Sequence, residues 1–350
     1  MKQLLCFYMG YAPSFNGANY STKHIYGSEL TCIKLAESLV NNFNVVIFVA
    51  GLKESDEILH NGVYYFNKDK INNYKHIDIM IVVRYINYFI YYKNIAKKTF
   101  IWMHDVTVQP SYDGKILYSN GDNFLYNLKD SYDKLIVLSQ YHLHNNFEYI
   151  KLPISKYVII PNMLDTSYYK DNIDKIKNSF IYMSDISRGF SILLDCLIYI
   201  QKIIPDISLT VFRNHEFDDE IKNKIKKLKN VKSYGKVSQQ LIANECLKSE
   251  YFFYPTNFSE TFCNCAVEAQ LYKCVCIYNP IGALTSTIND RGLSIPYNLD
   301  DIHYVENTCK DVIKLMNNQI KKKDFIERGH FWAKSLDIKL IKNKWLDLFL

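Results

Sequence analysis

Two glutamates bracket a mostly apolar segment in the stretch SETFCNCAVEAQ, residues 259–270. If a helix begins at Thr261, apolar side chains cover most of its circumference, so Glu268 lies on or near a buried surface. An ionised carboxylate is costly there without hydrogen-bond donors. Eight helical steps separate Glu260 from Glu268 by roughly 12 Å, the length of a small extended ligand. The alternative is structural: Glu260 stabilises the helix N-terminus, and Glu268 reaches solvent or pairs with Lys273.

Short β-rich runs alternate with helical patterns along the chain, which predicts parallel α/β sheets. The strand candidates are QLLCFYM, NVVIFVA, IDIMIVV, TFIWMH, KLIVLS and YVIIP in the first half, and FIYMS, SLTVF, VKSYG, YFFYP and CVCIY in the second. A polar segment after YVIIPN marks a domain boundary. We expect two doubly wound, Rossmann-like domains facing one another, with a ligand bound in the cleft at the carboxyl ends of their strands.

The composition is that of a globular protein, with 48% hydrophobic and 22% charged residues in a chain of 350. A formal charge of +6 suits phosphate-bearing ligands, anionic membranes or nucleic acid, and selects none of them. The most basic run, residues 221–230, is either a solvated helix face or a surface that contacts a membrane peripherally. No pattern of aromatic and basic residues indicates specific nucleic-acid binding.

The N-terminal apolar run is too short for a signal peptide, and no stretch reaches the ~20 apolar residues that span a bilayer, so we expect a cytoplasmic protein. Its nine cysteines are then most simply reduced thiols. Cys263, Cys265, Cys274 and Cys276 form two C-x-C pairs that suggest zinc, but they lack the usual ligand spacings. The sequence therefore predicts no metal site.

Glu260 follows the strand candidate YFFYP, so we expect it at the carboxyl end of a strand and beside a helix N-terminus. The free amides of Thr261, Phe262 and Cys263 at such a helix start would bind phosphate. Glu268, farther along, would accept hydrogen bonds from two ribose hydroxyls. A ligand that contains a sugar, a diphosphate and a ribose would use all three features.

The Glu-x7-Glu pattern followed by Ala269, in the setting PTNFSETF, resembles the hallmark of the family-4 retaining glycosyltransferases of the GT-B fold. Further blocks resemble that family in the same order: YGSELTCIKLAESL, IWMHD, LIVLSQYH, VIIPNMLD, YMSDISRGFSILLDCL, YGKVSQQLI and the terminal FWAKS. The resemblance covers nearly the whole chain. It implies an acceptor-side domain over residues 1–163, a nucleotide-sugar-binding domain over 164–325, and a helix over 326–350 that crosses back to the first domain.

The resemblance also implies a role for each matched residue. His104 and Glu260 take the catalytic positions, and Glu260 holds the hydroxyls of the donor sugar. The implied donor-binding residues are Gly27, Ser28, Ser184, Arg188, Tyr234, Gly235, Thr261, Phe262 and Glu268, while Asn162 and Asp165 match the block that closes the first domain. Structural alternatives stay open for three residues: His104 caps a turn or bonds Asp105, Arg188 is a surface residue, and Gly27 permits close helix packing.

The sequence departs from the family in the phosphate-binding block, where Met183 replaces an arginine and leaves Arg188 as the one cation of the block. Arg188 then carries more of the phosphate binding, or Arg213 or Lys236 assists it. The other replacements are Tyr26 for a glycine of the N-terminal loop, Tyr272 and Lys273 for a glycine-rich turn, and Val275 for a proline. These differences concern the identity of the donor more than the fold.

The activity implied by the resemblance is transfer of a sugar from a nucleotide-diphosphate sugar to an acceptor hydroxyl, with retention of anomeric configuration and without a metal or cofactor. The acceptor would be a glycan, a lipid-linked compound or another hydroxyl compound. Three alternatives remain: a nucleotide-sugar epimerase, which needs no acceptor; a phosphorylase, for which no cofactor lysine is suggested; and a catalytically silent scaffold that binds a nucleotide sugar.

Overall fold

A computed structural model describes residues 2–19, 25, 27–106, 111–112, 115–116, 121–171, 173–213 and 215–350, with the side chains of 111–112, 115–116 and 121–123 excepted. The chain divides into two compact units. Unit 1 comprises Met1–Met163 together with Ile338–Leu350, and unit 2 comprises Leu164–Asp337. Tyr26, the replacement in the N-terminal loop, lies outside the described residues.

Unit 1 is built on a parallel sheet flanked by helices. Its elements in chain order are β1 (Leu4–Met9), α1 (Gly27–Leu39), β2 (Asn44–Val49), β3 (Glu57–His60), β4 (Val63–Asn67), β5 (Ile77–Val83), α2 (Tyr88–Tyr91), β6 (Ala96–Trp102), β7 (Ser111–Tyr112), β8 (Lys115–Ile116), α3 (Gly121–Asn127), β9 (Lys134–Val137), α4 (Gln140–Ile150) and β10 (Tyr157–Ile159). Within the described part of this unit, eight strands form one sheet in the order β10-β9-β6-β5-β1-β2-β4-β3. Only its edge strand β3 runs antiparallel, and β7 and β8 form a separate short hairpin.

The central strands of unit 1 are buried on both faces because helices cover them. Strands β1 and β5 are accordingly continuous apolar runs, LLCFYM and IDIMIVV, as expected of a covered parallel sheet. The sequence prediction omitted the β3–β4 hairpin, which is closed by Asn61 and Gly62 with φ of 47° and 80°. Two consecutive left-handed residues are the geometry of a type I′ turn, for which Asn-Gly is the preferred sequence.

Unit 2 is a second parallel sheet. Its elements are β11 (Ile176–Tyr182), α5 (Phe190–Gln201), β12 (Ser208–Phe212), α6 (Asp219–Ile225), β13 (Val231–Tyr234), α7 (Gln239–Lys248), β14 (Ser249–Tyr254), α8 (Asn264–Leu271), β15 (Val275–Tyr278), α9 (Leu284–Thr287), β16 (Gly292–Ser294), α10 (Tyr304–Met316) and α11 (Gln319–Lys334). The six strands described here pair in the parallel order β13-β12-β11-β14-β15-β16. Every strand predicted from the sequence is therefore confirmed in one of the two units.

The strand order of unit 2 reverses between β11 and β14, which lie side by side with Phe180 opposite Tyr251 and Ile181 opposite Phe252. In doubly wound sheets, ligands bind outside the carboxyl ends of the strands at this switch point. The chain leaves β11 toward Ser184 and Arg188, and it leaves β14 toward Glu260. The topology of unit 2 thus brings together two segments that are far apart in sequence.

The last helix, α12 (Ile338–Phe349), belongs to unit 1. The buried Trp345 packs edge to face on Trp102, with ring centroids 4.8 Å apart, and Phe349 contacts Phe43 and Phe100. The chain returns to unit 1 at residue 338. The resemblance placed the start of the crossing helix earlier, at residue 326. The reason is that α11 packs against α8 of unit 2, where Gly329 allows close approach to Gln270.

No helix within the described ranges is both long enough and apolar enough to cross a membrane.

Candidate functional site

An ion pair lies at the switch point of unit 2. The Arg188 guanidinium donates from Nη1 to Oε1 of Glu260 over 2.9 Å. The two residues are 72 positions apart in sequence, and each follows one of the two strands that flank the switch point. A fixed cation and a fixed carboxylate at this edge can contact the phosphate and hydroxyl groups of one ligand.

The turn after β11 holds Arg188 through hydrogen bonds that its sequence provides. Asp185 accepts from both the amide and the hydroxyl of Ser187, which forms an Asx turn. The buried Tyr182 hydroxyl shares its one proton between two acceptors, the carbonyl oxygens of Asp185 and Arg188, at 2.8 and 3.0 Å. Gly189 then begins α5 with a φ of 95°, and a Cβ there would lie 1.8 Å from the carbonyl oxygen of Pro255. A glycine is therefore required where this turn meets the loop after β14.

Glu260 is held by its side chain and by its backbone. The buried Tyr254 hydroxyl donates to Oε1 of Glu260 over 2.7 Å. Because that single proton is used, the hydroxyl of Ser184 donates to Tyr254 in the 3.0 Å contact between the two oxygens. The amide of Ala283 donates to the Glu260 carbonyl over 2.8 Å, and Gly282, with a φ of 58°, packs against the Glu260 backbone.

The charges of this cluster reinforce one another. Burial alone would lower the pKa of Arg188, but the Glu260 carboxylate and Tyr254 outweigh it and raise that pKa above its usual value. Burial raises the pKa of Tyr254 far above its usual value, and the negative charge of Glu260 adds to this shift. Tyr254 therefore remains a protonated donor to Glu260 across the whole neutral range.

The helix after Glu260 begins later than the sequence predicts. It starts at Asn264 rather than at Thr261, because Cys263 adopts a left-handed φ of 68° and ends the loop. Thr261 and the buried Phe262 lie in that loop, so their amides are not part of the first helical turn, and eight helical steps do not separate Glu260 from Glu268. The predicted helix start at Thr261 was therefore wrong, while phosphate binding by the amides of Thr261, Phe262 and Cys263 stays a prediction.

Glu268 lies half-buried on α8, as the apolar pattern around it indicates. Lys273, its suggested partner, instead contacts Asp171 at 3.4 Å and the ring of Tyr169. Asp171 and Tyr169 come from the segment before β11, which explains why helical spacing alone misassigned the lysine. A ribose-binding role for Glu268 stays a prediction.

The predicted nucleobase-side loop begins at the carboxyl end of β13. Tyr234 stacks on Phe212, with ring centroids 5.2 Å apart and planes 10° from parallel. Gly235 is exposed, and a Cβ there would meet no atom within 4 Å, so neither space nor backbone strain requires glycine at this position. Arg213, a suggested second phosphate ligand, is paired with Glu216, and Lys236 is exposed.

In unit 1, His104 follows the carboxyl end of β6 and packs on Trp102 with ring centroids 4.8 Å apart. Burial lowers its pKa to about 3, and the positive charge of Arg84 and the neighbouring His142 contribute to that shift. The imidazole is therefore neutral at pH 7. Gly27 is the first residue of α1, where its carbonyl accepts from Thr31, and the hydroxyl of the buried Ser28 donates to Glu29.

Sequence reasoning missed a polar network beside His104. Arg84 donates twice to the Asp105 carboxylate, from Nε over 2.6 Å and from Nη2 over 2.8 Å, and it has a left-handed φ of 62° directly after β5. The fully buried His142 donates from Nε2 to the Asp105 carbonyl over 2.9 Å and accepts the Leu138 amide at Nδ1 over 3.2 Å. Burial lowers the pKa of His142 to about 4. The run LIVLSQYH contains His142 but gives no sign of this pairing.

The cysteines of the two C-x-C pairs contact different partners. Cys265 donates to the carbonyl of Met183, and Cys274 lies 3.7 Å from Cys246, sulfur to sulfur. Throughout the described ranges, no group of three or more histidine, cysteine, aspartate or glutamate side chains is placed to hold a metal ion.

No protein-family model and no curated protein matches the sequence. Solved structures do match the fold. HepE from Anabaena, solved in complex with UDP and glucose, gives a TM-score of 0.72 at 14% identity over 99% of each chain. Sucrose-phosphate synthase from Thermosynechococcus elongatus gives 0.73 at 12% identity over 99% of this chain and 98% of that one. TarM of S. aureus gives a TM-score of 0.60 at 16% identity over 77% of this chain. The match covers 54% of TarM, so this chain spans about half the length of that protein.

The two parallel sheets and these neighbours identify the fold as GT-B, the fold of a class of glycosyltransferases. The sequence prediction of fold class is therefore confirmed. At identities between 12% and 16%, the similarity to these three proteins defines the fold alone.

Proposed function

We propose that the protein is a glycosyltransferase that moves a sugar from a nucleoside-diphosphate sugar to an acceptor hydroxyl. The observation that carries the proposal is the Arg188–Glu260 pair at the switch point of unit 2. A guanidinium matches the geometry and charge of a diphosphate, and a carboxylate accepts hydrogen bonds from sugar hydroxyls. HepE, which has the same fold, was solved with UDP and glucose, so we propose UDP as the first nucleotide to test.

Cleavage of the glycosidic bond leaves negative charge on the departing diphosphate and positive character on the sugar. Arg188 is positioned by its turn to stabilise the diphosphate, and Glu260 is oriented by Tyr254 to hold the sugar hydroxyls. Interactions that are fixed before the reaction and strengthen as charge develops lower the barrier most effectively. Because Arg188 supplies the positive charge, we propose that transfer needs no metal. Retention of the anomeric configuration is proposed separately, from the resemblance to the retaining glycosyltransferases.

Two further residues have narrower roles in this proposal. Glu268, half-buried on α8, accepts hydrogen bonds from the nucleotide ribose. His104 binds a substrate hydroxyl as a neutral group, because its pKa of about 3 removes its charge at physiological pH.

The test combines a binding screen with a transfer assay. Thermal melting is measured with a panel of nucleoside diphosphates and nucleotide sugars, since a ligand of the folded state raises the midpoint. The stabilising donor is then incubated with acceptors, and the anomeric configuration of the product is read by NMR. We expect stabilisation, transfer and a retained product. An inverted product contradicts the proposed stereochemistry, and conversion of the donor without an acceptor identifies an epimerase.

Two variants assign the activity to the site. Glu260→Ala and Arg188→Ala should each abolish transfer without unfolding the protein, because both side chains come from loops beyond the carboxyl ends of the strands and neither packs in the apolar core. Glu306→Ala on α10, which removes an exposed carboxylate paired with Lys310, is the matched control and should retain activity. Normal turnover by either site variant contradicts the assignment. Absence of binding to every nucleotide tested contradicts the proposed function.

A further inference from the structure

An exposed aromatic ring stacks on the cation of the site. The centre of the Arg188 guanidinium lies 3.8 Å from the ring centroid of Phe258, while its Nη1 contacts Glu260 over 2.9 Å. A separation of 3.8 Å places the guanidinium carbon over the ring, within the range of a cation–π contact. Arg188 thus contacts both a ring and a carboxylate, and both come from the loop after β14.

The loop is built so that Phe258 has a defined position. The amide of Phe258 donates to the hydroxyl of Thr256 over 3.0 Å, and Thr256 is fully buried. One residue earlier, Pro255 packs against Gly189, which adjoins Arg188 in sequence. The backbone that carries the ring and the backbone that carries the guanidinium are therefore in direct contact.

Core packing does not explain the ring. Phe258 is 41% exposed, so it contributes little to the hydrophobic core of unit 2. The ring contacts Arg188, which is the one Lys or Arg in the run YMSDISRGF, residues 182–190. An arginine that acts alone gains most from being held in its binding rotamer before the ligand arrives.

We propose that Phe258 is a positioning residue that holds Arg188 ready for the diphosphate of the donor. This inference rests on the proposed function. Ordering a long side chain on binding costs about 0.5–1.5 kcal/mol, so loss of the ring should weaken nucleoside-diphosphate binding by about two- to tenfold. The effect should pass through Arg188 and diminish when a lysine replaces the guanidinium.

The experiment is a double-mutant cycle with UDP as the probe, measured by calorimetry on the full chain. The variants are Phe258→Leu, Phe258→Trp, Arg188→Lys and the double variant Phe258→Leu with Arg188→Lys. Leucine removes the aromatic face, tryptophan retains it, and lysine keeps the charge without a planar group to stack. Phe331→Leu on α11 removes an exposed ring from the same unit, 81% accessible, and serves as the matched control.

We expect Phe258→Leu to weaken UDP binding within the stated range, Phe258→Trp to restore it, and Phe331→Leu to leave it unchanged. In the Arg188→Lys background, Phe258→Leu should have a smaller effect, because the ring holds a compact ammonium less firmly than a planar guanidinium. Wild-type affinity in Phe258→Leu overturns the inference. An undiminished loss in the Arg188→Lys background also overturns it, because the ring would then contact the ligand directly.

The same series separates failure of the inference from failure of the proposed function. If the wild-type protein binds ADP or GDP but not UDP, the cycle is run with that nucleotide and its outcomes have the same meaning. If the wild-type protein binds none of the three, the proposed function fails, and the inference fails with it.

Discussion

Replacing Glu260 with glutamine should tighten the binding of UDP while slowing sugar transfer. Glutamine keeps an oxygen at the position that accepts from Tyr254 and Arg188, so the geometry of the site is retained. It removes the negative charge that now neutralises the guanidinium. A diphosphate then binds a cation that it no longer shares with a carboxylate.

The magnitude follows from the geometry of the pair. Two unit charges 4 Å apart attract by about 4 kcal/mol at an effective dielectric constant of about 20. The Arg188 side chain is 34% exposed and that of Glu260 is 10% exposed, so solvent screens this pair substantially. We therefore take the competition between Glu260 and the diphosphate for Arg188 to cost about 1 kcal/mol of binding free energy. Removing it in Glu260→Gln corresponds to about fivefold tighter binding of UDP.

Transfer should change in the opposite direction. Hydrogen bonds to a charged group contribute about 1.5–3 kcal/mol, so a neutral amide at position 260 should slow turnover by about 10- to 150-fold. Calorimetry with UDP and turnover with the stabilising donor measure the two effects. Glu306→Gln makes the same change in net charge at an exposed site and should alter neither quantity. Unchanged or weaker UDP binding in Glu260→Gln would refute the idea that the carboxylate competes for Arg188.

Two further predictions concern stability. Gly189→Ala should destabilise unit 2 by about 2–5 kcal/mol, because the methyl group would overlap the Pro255 carbonyl and the backbone at this position is left-handed. Thermal melting should show this loss. Gly235→Ala is the control, since the methyl group would enter open space, and it should melt like the wild type. His142 should make unit 1 less stable in mild acid: its pKa is about 4 when folded and 6.5 when unfolded, so between these values only the unfolded chain binds the proton. At pH 5 the loss relative to pH 7 is about 2 kcal/mol, because each of the roughly 1.5 intervening pH units contributes about 1.36 kcal/mol. Between pH 7 and pH 5, the melting midpoint should fall less in His142→Gln than in the wild type. The exposed control His144→Gln should behave like the wild type. An equal shift in all three proteins would assign the acid sensitivity to other groups.

The sheets could be predicted because their strands are buried on both faces. Burial of that kind requires apolar runs such as IDIMIVV and YFFYP, and such runs are visible without knowledge of the partner strand. The β3–β4 hairpin could also have been predicted, since Asn61–Gly62 is a strong turn signal between β-rich segments. It was missed because β3 is short and largely exposed, and so lacks an apolar run.

The candidate site was predicted only in part. Glu260 and Arg188 were identified because strand ends locate them, and their pairing follows from the adjacency of β11 and β14. The predicted start of α8 was wrong because non-glycine residues rarely adopt the left-handed conformation. Nothing in the sequence indicates that Cys263 does so and ends the loop. The contact between Gly282 and Glu260 depends on backbone packing between distant segments, which local patterns do not encode.

The position of α12 in the chain has a consequence for synthesis. Unit 1 begins at the N-terminus, yet the helix that covers Trp102 is made only after the whole of unit 2. Domains usually fold in the order in which the ribosome releases them. Here the strands of unit 1 precede unit 2, but unit 2 is complete before α12 is made, so the strand that precedes His104 keeps an indole face uncovered until Trp345 emerges. Unit 1 therefore exposes apolar surface until late in translation, and exposed apolar surface promotes aggregation and chaperone binding.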